Sequence, residues 1–339
     1  MRIHTAVLSP WPAILLAVLC GCAAAPSGER AAADAGDETV DGAADAWQMG
    51  ERAVPLGLVL LHVFENESSA PYYPIKGIGG VAYYGDGTLF FCDEKGGRVH
   101  GYDAAGDTWF QFDNPGTRFF RPVDICIDQF SVLVLDMDGR DLLRYGLGGV
   151  FLDRLLDFSY LDPGYDRLPS AFDVDLDGSM VFTDAAEDQV LLVDAYLELQ
   201  HVVGVPGSHP EQFREPSGVA FLRDGSFVVS DRANRRLQHF TRLGYYKRTI
   251  GGEFDPQSRL LTPQGLDTDP EGNLFVADPA AGLIHVLSPE LDYLFAVGSE
   301  LGLQAAPVAP IDVAVGPDDQ LAVSDRERQA VLVYRIRYE

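Results

Sequence analysis

The sequence predicts an all-β protein in which six four-stranded blades close into a ring, a six-bladed β-propeller, and three observations predict it. Prolines recur at intervals of 47 residues, and a fixed period of 20 to 50 residues is typical of repeat architectures. Aspartates recur in step with the prolines. Each unit contains short apolar runs of strand length, which is the composition of a propeller blade. The prolines are Pro122, Pro169, Pro216, Pro263 and Pro310.

The repeated aspartates mark six units. They are Asp93, Asp136, Asp184, Asp231, Asp278 and Asp325. We expect each one to end the second strand of its blade and to accept hydrogen bonds from backbone N–H groups of the following loop. Repetition in every unit favours a structural role, because a catalytic site needs different groups in different places.

The fourth unit shows how the strands are assigned. Residues 216–231 contain an apolar run, the turn dipeptide Asp224-Gly225 and a second apolar run that ends at Asp231. Asp-Gly tolerates the positive φ that a tight hairpin turn requires. Residues 236–240 and 245–251 supply two more runs, which are too short and too rich in β-branched and aromatic residues for amphipathic helices.

The two ends of the chain predict how the ring closes. The last unit supplies only three strands, at residues 311–316, 321–325 and 330–337, and an unassigned apolar run, Leu58–Phe64, precedes the first unit. We expect Leu58–Phe64 to pair beside Val331–Tyr334 as the fourth strand of the last blade. This pairing removes the open sheet edges that an incomplete ring would expose.

The first 22 residues have the pattern of an export signal. A basic residue, Arg2, is followed by the short apolar run Ala13–Leu19, which suits a secretory signal better than a membrane-spanning helix. The sequence Leu19-Cys20-Gly21-Cys22 resembles the bacterial lipobox. That resemblance implies lipidation at Cys22 and export to the bacterial cell envelope, either anchored to the outer membrane or in the periplasm. A plain signal peptide cut after a following alanine is the alternative.

Three segments follow from this division: a signal peptide at residues 1–22, a disordered tether at 23–50 and the propeller at 51–339. The tether is rich in alanine and acids and nearly empty of aliphatic side chains, so it cannot bury enough apolar surface to fold. It holds six of the 51 acidic residues. Most of the acidity therefore belongs to the propeller.

The charge of the chain excludes some classes of partner. The 339 residues contain 51 acidic and 25 basic side chains, for a formal net charge of −26. Such a surface repels phosphate backbones and anionic headgroups, so we expect no nucleic acid and no contact with the membrane beyond the lipid anchor. We also expect a monomer.

The sequence of the fourth unit is similar to the NHL repeat. In this unit the similarity lies in residues 204–219, which include Gly207, Phe213 and Pro216, and in residues 231–240, and across all units the resemblance covers residues 57–339. The third to sixth units follow the pattern well, whereas the first lacks the proline, with Ile78 in its place, and the second has lost a residue in its turn. The resemblance implies an NHL-type propeller but no single function, because such folds host both binding modules and enzymes.

Candidate site residues lie where the inner strands begin. The second residue after each repeat proline is small except for Asp124 and Asp312, which are therefore the best binding candidates at the central mouth. Neighbouring loops supply arginines that could hold an oxyanion or a carboxylate. The alternative is that all of these are solvated polar residues at strand ends. The arginines are Arg232, Arg235, Arg326 and Arg328.

Metal chemistry finds weaker support in the sequence. Residues 173–184 and 267–278 match the calcium-binding EF-hand loop apart from Asp in the last position, but strand alternation and the repeat produce the same pattern without an ion. The seven histidines do not converge on one place, which disfavours a zinc site with three protein ligands. A carboxylate site using Asp124 and Asp312 with Asp173 or Asp267 stays open. No cofactor is expected, with calcium as the alternative.

These observations predict a non-catalytic recognition platform for a protein, peptide or glycan at the cell envelope. The alternative is a divalent-metal-dependent lyase or lactonase with its site at the axial mouth. Cys92 and Cys126, the thiols that remain after processing, are expected to be small buried core residues, and a disulfide bridge between them stays open.

Overall fold

Six four-stranded antiparallel sheets form most of the described part of the protein. The structure is a computed structural model that describes residues 54–64, 75–112, 119–252, 259–298 and 306–338. These residues contain 26 strands, of which 24 form the six four-stranded sheets, and each of these six sheets is one blade of a propeller. The fold class that the sequence predicts is confirmed. The predicted signal peptide and tether lie outside the described residues.

The strands follow one another outward from the axis within each blade. The first strand, β1 (Pro55–Phe64), belongs to the last blade. Blade 1 contains β2 (Ile78–Tyr83), β3 (Leu89–Asp93), β4 (Arg98–Asp103) and β5 (Thr108–Gln111). Blade 2 contains β6 (Pro122–Asp128), β7 (Ser131–Asp136), β8 (Asp141–Gly146) and β9 (Phe151–Asp157). Blade 3 contains β10 (Pro169–Val174), β11 (Met180–Asp184), β12 (Gln189–Val193) and β13 (Leu199–Val203).

The second half of the ring repeats this order. A parallel pair, β14 (Val205–Pro206) and β15 (Gln212–Phe213), precedes blade 4. Blade 4 contains β16 (Pro216–Phe221), β17 (Phe227–Asp231), β18 (Arg236–Phe240) and β19 (Tyr246–Gly251). Blade 5 contains β20 (Leu266–Thr268), β21 (Leu274–Asp278), β22 (Leu283–Leu287) and β23 (Tyr293–Gly298). Blade 6 contains β24 (Pro310–Val315), β25 (Gln320–Asp325) and β26 (Ala330–Tyr338) together with β1.

Helical structure is sparse. In the part of the chain that the structure describes, one α-helix, α1 (Phe158–Leu161), connects blades 2 and 3, and a 3-10 turn spans Arg232–Asn234. No helix among the described residues is both long enough and apolar enough to cross a bilayer.

Pairing of the first strand with the last closes the ring. β1 lies antiparallel to β26, with Leu60 opposite Tyr334 and Phe64 opposite Val331. The predicted closure is confirmed. β1 also extends further upstream than the apolar run, because Pro55 lies opposite Tyr338.

The apolar core lies between neighbouring blades. Second and third strands supply most of it because both of their faces are covered by other blades. Between blades 5 and 6 the buried cluster includes Phe275, Ile284, Val313, Leu332 and Tyr334. Burial of each such side chain contributes roughly 1.5–3 kcal/mol.

The inner strand of blade 5 is shorter than the repeat predicts. β20 begins only at Leu266, although the repeat proline is Pro263. Gln264 and Gly265 still bond to Ala277 of β21, through the N–H of Gln264 (2.8 Å) and the carbonyl of Gly265 (3.0 Å). The N–H of Gly265 donates instead to the carbonyl of Ile311 in blade 6 (3.0 Å), which interrupts the regular ladder before Leu266.

The repeated aspartates are buried and accept hydrogen bonds at the edge of the ring where the inner strands begin. We call this edge the proline rim and the opposite edge the turn rim. Asp325 accepts from the N–H groups of Val308 (2.6 Å) and Ala309 before the proline, and from Glu327 (3.0 Å) after the second strand. Five of the aspartates make both kinds of bond to backbone N–H groups. In blade 4 the Asn234 side chain replaces the second donor to Asp231.

Deletion of residues 55–64 should abolish cooperative unfolding. Without β1, the strand β26 becomes an open edge and the core between blades 5 and 6 loses its cover, so the protein should aggregate or unfold. Thermal melting followed by circular dichroism measures this. Deletion of residues 23–50 is the matched control and should leave the melting temperature unchanged. A β1-deleted protein that stays monomeric and melts cooperatively would contradict the closure.

Candidate functional site

A cavity of about 860 Å³ lies on the axis of the ring. The inner strands of the blades form its wall, and its volume falls within the range of ~300–1,000 Å³ that is usual for ligand pockets. Four aspartates lie on this wall: Asp124, Asp173, Asp267 and Asp312. The structure therefore brings together the two predicted mouth residues, Asp124 and Asp312, and the two carboxylates considered beside them.

Each axial aspartate joins its own strand to the next blade. Asp124 accepts from the N–H of Ile125 (2.9 Å) through one oxygen and from the N–H of Phe172 in blade 3 (2.8 Å) through the other. Asp173 likewise accepts from Val174 (2.7 Å) and from Phe221 in blade 4 (2.7 Å). In both cases the second donor lies 48 residues further along the chain.

The same contact links blade 5 to blade 6 and closes the ring at the axis. Asp267 accepts from Thr268 (2.7 Å) and from Val315 in blade 6 (2.6 Å). Asp312 accepts from Val81 in blade 1 (2.9 Å), across the junction between the last blade and the first. We call these four residues the axial aspartates.

Two glycines make room for these carboxylates. A Cβ on Gly80 would lie 2.5 Å from Oδ1 of Asp124, and a Cβ on Gly265 would overlap the carboxylate of Asp312. Each glycine and the aspartate beside it occupy the same position of the repeat, in two neighbouring blades. A small residue at this position therefore leaves space for the aspartate of the next blade. Comparison of successive units in the sequence could have revealed this relation.

Serine hydroxyls support the junction between blades 4 and 5. Ser217 Oγ donates to the carbonyl of Pro263 (3.1 Å) and Ser230 Oγ to that of Gln264 (2.6 Å). Blade 4 has Gly218 and Ala220 where other blades have axial aspartates. Hydroxyls thus form a polar link at this junction, to which blade 4 contributes no axial aspartate.

Burial raises the pKa of all four axial aspartates, because the channel wall removes water that would hydrate a charged carboxylate. The pKa rises from 3.8 to about 7 for Asp124 and Asp267 and to about 6 for Asp173. It also rises well above 3.8 for Asp312. Neighbouring carboxylates raise these pKa values further, whereas the donated N–H groups oppose the change.

The proline rim of the cavity carries arginine and glutamate side chains instead. Arg232 is paired with Glu215, with Nε 3.1 Å from Oε2. Arg121 is paired with Asp138 (3.4 Å) and also lines the cavity. Arg326 lines the cavity and is exposed.

Glu94 lies at the same rim. Burial raises the pKa of its carboxyl, and Arg121 and Arg326 oppose that rise. The cavity therefore has mixed charge at its mouth and carboxylates along its wall. Sequence reasoning missed Glu94, Arg121 and Glu215, which lie directly beside a repeated aspartate or a repeat proline.

The predicted arginines separate into two groups. Arg232 and Arg326 line the axial cavity, whereas Arg235 and Arg328 are absent from its described lining. Arg235 lies in a groove further out, between blades 4 and 5. Arg328 turns toward its own blade, where Nη2 donates to the carbonyl of Ala306 (3.0 Å).

Metal ligands do not converge in the described residues. His100, His239 and His285 lie on third strands, and no group of three or more histidine, cysteine, aspartate or glutamate side chains there has the arrangement of a metal site. The axial aspartates each already accept backbone hydrogen bonds. This donor set does not fit a divalent cation held by three protein ligands.

The EF-hand-like pattern lies on a β-hairpin. Asp173 points to the axis, Asp177 pairs with Arg242 at the turn rim, and Asp184 is buried at the proline rim. Its acids therefore lie at three separate places. The two described cysteines are free thiols, with Cys92 buried and Cys126 Sγ 3.5 Å from Oδ1 of Asp173.

The model of one protein family, the NHL repeat, matches residues 213–240. These residues run from the end of β15 through β18, which places the match on blade 4. The resemblance seen in the sequence is confirmed for the repeat and for the six-bladed ring.

Among known proteins, human E3 ubiquitin-protein ligase NHLRC1 is 29% identical to this chain over 110 residues. The match covers 32% of this chain and 26% of that protein, so the chain spans about a quarter of the length of this relative.

Solved propellers resemble the whole ring at low identity. A gluconolactonase of Xanthomonas campestris superposes with a TM-score of 0.61 at 17% identity, over 84% of this chain and 97% of that one. A virginiamycin B lyase from Staphylococcus aureus gives a TM-score of 0.55 at 12% identity, over 82% and 89% of the two chains. At these identities the similarity shows the fold alone.

The substitution Gly265→Ala should destabilise the protein by roughly 1–3 kcal/mol, as overpacking does in tightly packed sites. The added methyl group would displace the Asp312 carboxylate and disturb its bond to Val81. Urea denaturation measures the change in unfolding free energy. Gly85→Ala is the matched control, because a Cβ there meets nothing within 4 Å. Equal stability of the two variants would contradict the close approach at the axis.

Stability should fall as the pH rises from 5 to 8. A folded-state pKa of about 7 for Asp267, raised from 3.8, means that the folded protein binds more protons than the unfolded chain between these values. The stabilisation is complete below the unfolded pKa and is lost as the pH passes the folded pKa. The substitution Asp267→Asn should reduce this loss by on the order of 1 kcal/mol.

Urea denaturation at pH 5, 6.5 and 8 measures that dependence. Asp224→Asn, at an exposed turn, is the control and should keep the wild-type slope between these pH values. A slope that is unchanged in Asp267→Asn would contradict the raised pKa.

Proposed function

We propose that this chain, a six-bladed β-propeller with an NHL repeat, is a non-catalytic platform that binds a protein, peptide or glycan at the proline rim of its axial cavity. We further propose that export and lipidation at Cys22 hold it at the bacterial cell envelope. One observation carries the binding role: the axial aspartates are occupied by backbone N–H groups, whereas Arg326 at the rim is exposed. The groups free to meet a ligand thus lie at the mouth.

The geometry supports recognition better than chemistry. Catalysis by general acid and base or by a metal requires reactive groups that converge on one substrate atom. In the described residues, the histidines lie on third or outermost strands, except for His209 in the loop before blade 4, and the axial carboxylates hold neighbouring blades together. An arginine fork, by contrast, binds a carboxylate through two parallel hydrogen bonds without other groups.

The alternative is a metal-dependent lyase or lactonase. Its support is the similarity of fold to a gluconolactonase and to a virginiamycin B lyase. The same fold supports many functions, so the residues of the site must decide between them. In the part of the chain that the structure describes, those residues do not form a three-ligand metal group.

Peptide and glycan arrays probed with the purified full-length chain test the proposal. We expect selective binding that falls at least tenfold in Arg326→Gln and stays unchanged in Arg335→Gln, which alters an exposed arginine on β26, away from the cavity lining. Binding should also survive dialysis against a chelator. The proposal fails if the chain binds nothing on either array or if Arg326→Gln has no effect.

Metal analysis of protein purified without chelator separates the two functions. One tightly held cation per chain that is lost in the Asp124→Ala/Asp312→Ala double variant would favour the enzyme. Protein that holds no stoichiometric metal and still binds its array ligands would favour the platform.

A further inference from the structure

A second cavity lies on the proline rim between blades 4 and 5. Its volume is about 500 Å³, again within the usual range of ~300–1,000 Å³ for ligand sites. Glu215 and Arg232 line both this groove and the axial cavity. The two spaces are therefore neighbours that share one wall, and we call the outer one the 4/5 groove.

The shared wall is built from fixed parts. The Arg232 guanidinium is paired with the Glu215 carboxylate, and the N–H of Glu215 donates to Oδ1 of Asp188 (2.6 Å). Arg232 also begins the 3-10 turn that leads to Arg235. A ligand in the axial cavity that extends over this pair enters the 4/5 groove.

Among the described residues that line the groove, Arg235 is the charged side chain that has no ion-pair partner. Its backbone adopts the left-handed conformation, with φ of 57°, and its N–H donates to the carbonyl of Arg232 (3.1 Å), so the turn fixes where the side chain leaves the rim. The side chain is exposed, and the contacts of the described residues include no carboxylate bound to it. The neighbouring Arg236, by contrast, is buried and paired with Asp231. Arg235 is thus available to a ligand.

The rest of the groove is small and partly apolar. Ala233 and Ala280 have short side chains, and Leu261 is 42% exposed. The Thr262 hydroxyl is already engaged: it donates to Asp278 and accepts from the N–H of Ala280 (3.0 Å). The groove therefore offers space for a main chain, one apolar contact and one guanidinium.

These features distinguish between classes of ligand. A guanidinium fork matches a carboxylate or a phosphate. The net charge of −26 repels a polyanion such as nucleic acid, but a single carboxylate next to Arg235 meets mainly local attraction. The described lining of the groove contains no aromatic ring on which a sugar could stack.

We infer that the binding site continues from the axial cavity into the 4/5 groove and takes an extended peptide whose carboxylate is bound by Arg235. This inference rests on the proposed function, because the groove is reached across the wall of the axial cavity. It adds the chemical class of the ligand and a residue that determines specificity.

The test uses two pools of N-acetylated decapeptides with otherwise neutral side chains. One pool carries a single carboxylate, at the C-terminus or on one glutamate, and the other consists of the same peptides with amidated termini and glutamine in place of glutamate. We expect the full-length chain to bind the carboxylate pool at least tenfold more tightly. Arg235→Gln should abolish that preference, and Arg335→Gln should keep it. Glutamine is chosen because it removes the charge, keeps the Cβ–Cγ–Cδ part of the side chain and is as compatible with the left-handed backbone as arginine.

Each outcome separates the inference from the proposed function. Peptide binding that depends on Arg326 but keeps its carboxylate preference in Arg235→Gln would confine the ligand to the axial cavity and overturn the inference alone. If the chain binds glycans through Arg326 but binds no peptide, the inference about the 4/5 groove is overturned and the proposed function stands. If neither peptides nor glycans bind, or if binding ignores Arg326, both proposals fail.

Discussion

The structure depends on one constraint at the axis: inner strands of neighbouring blades approach closely, and their backbone N–H groups need acceptors. An aspartate that accepts from the next residue and from the residue 48 positions later meets this need at three junctions, and Asp312 provides the equivalent bond between blades at a fourth. Unsatisfied buried donors would cost about 1–3 kcal/mol each. The carboxylates stabilise the ring, although burial makes their charged forms unfavourable.

That constraint also decides which groups remain for a ligand. Carboxylates along the wall are committed to the scaffold, so the polar groups free for recognition lie at the rim, where the loops after the repeated aspartates end. Within the described residues, neither Arg326 nor Arg235 forms an ion pair with a carboxylate, whereas Arg232 is paired with Glu215. The mouth therefore combines a wall fixed by hydrogen bonds between blades with an exposed arginine side chain at the rim.

The two sets of aspartates in this protein make different kinds of contact. The repeated aspartates connect each blade's entry segment with the loop after its second strand, within one unit. The axial aspartates connect one unit with the next. Propellers of similar fold carry lactonase and lyase activity, and a ring held in this way does not itself specify a reaction.

The sequence by itself determined the number of blades, the strands within them and the closure by β1, because side-chain alternation and turn dipeptides are local and recur with the repeat. It also identified Asp124 and Asp312 as exceptional. Only the tertiary structure decided what they contact, why Gly80 and Gly265 precede them in the ring, and that Arg235 lies in a separate groove. The physical reason is that contacts between blades join residues far apart in the chain. The position of each side chain therefore depends on how neighbouring blades pack, and not on the local sequence pattern.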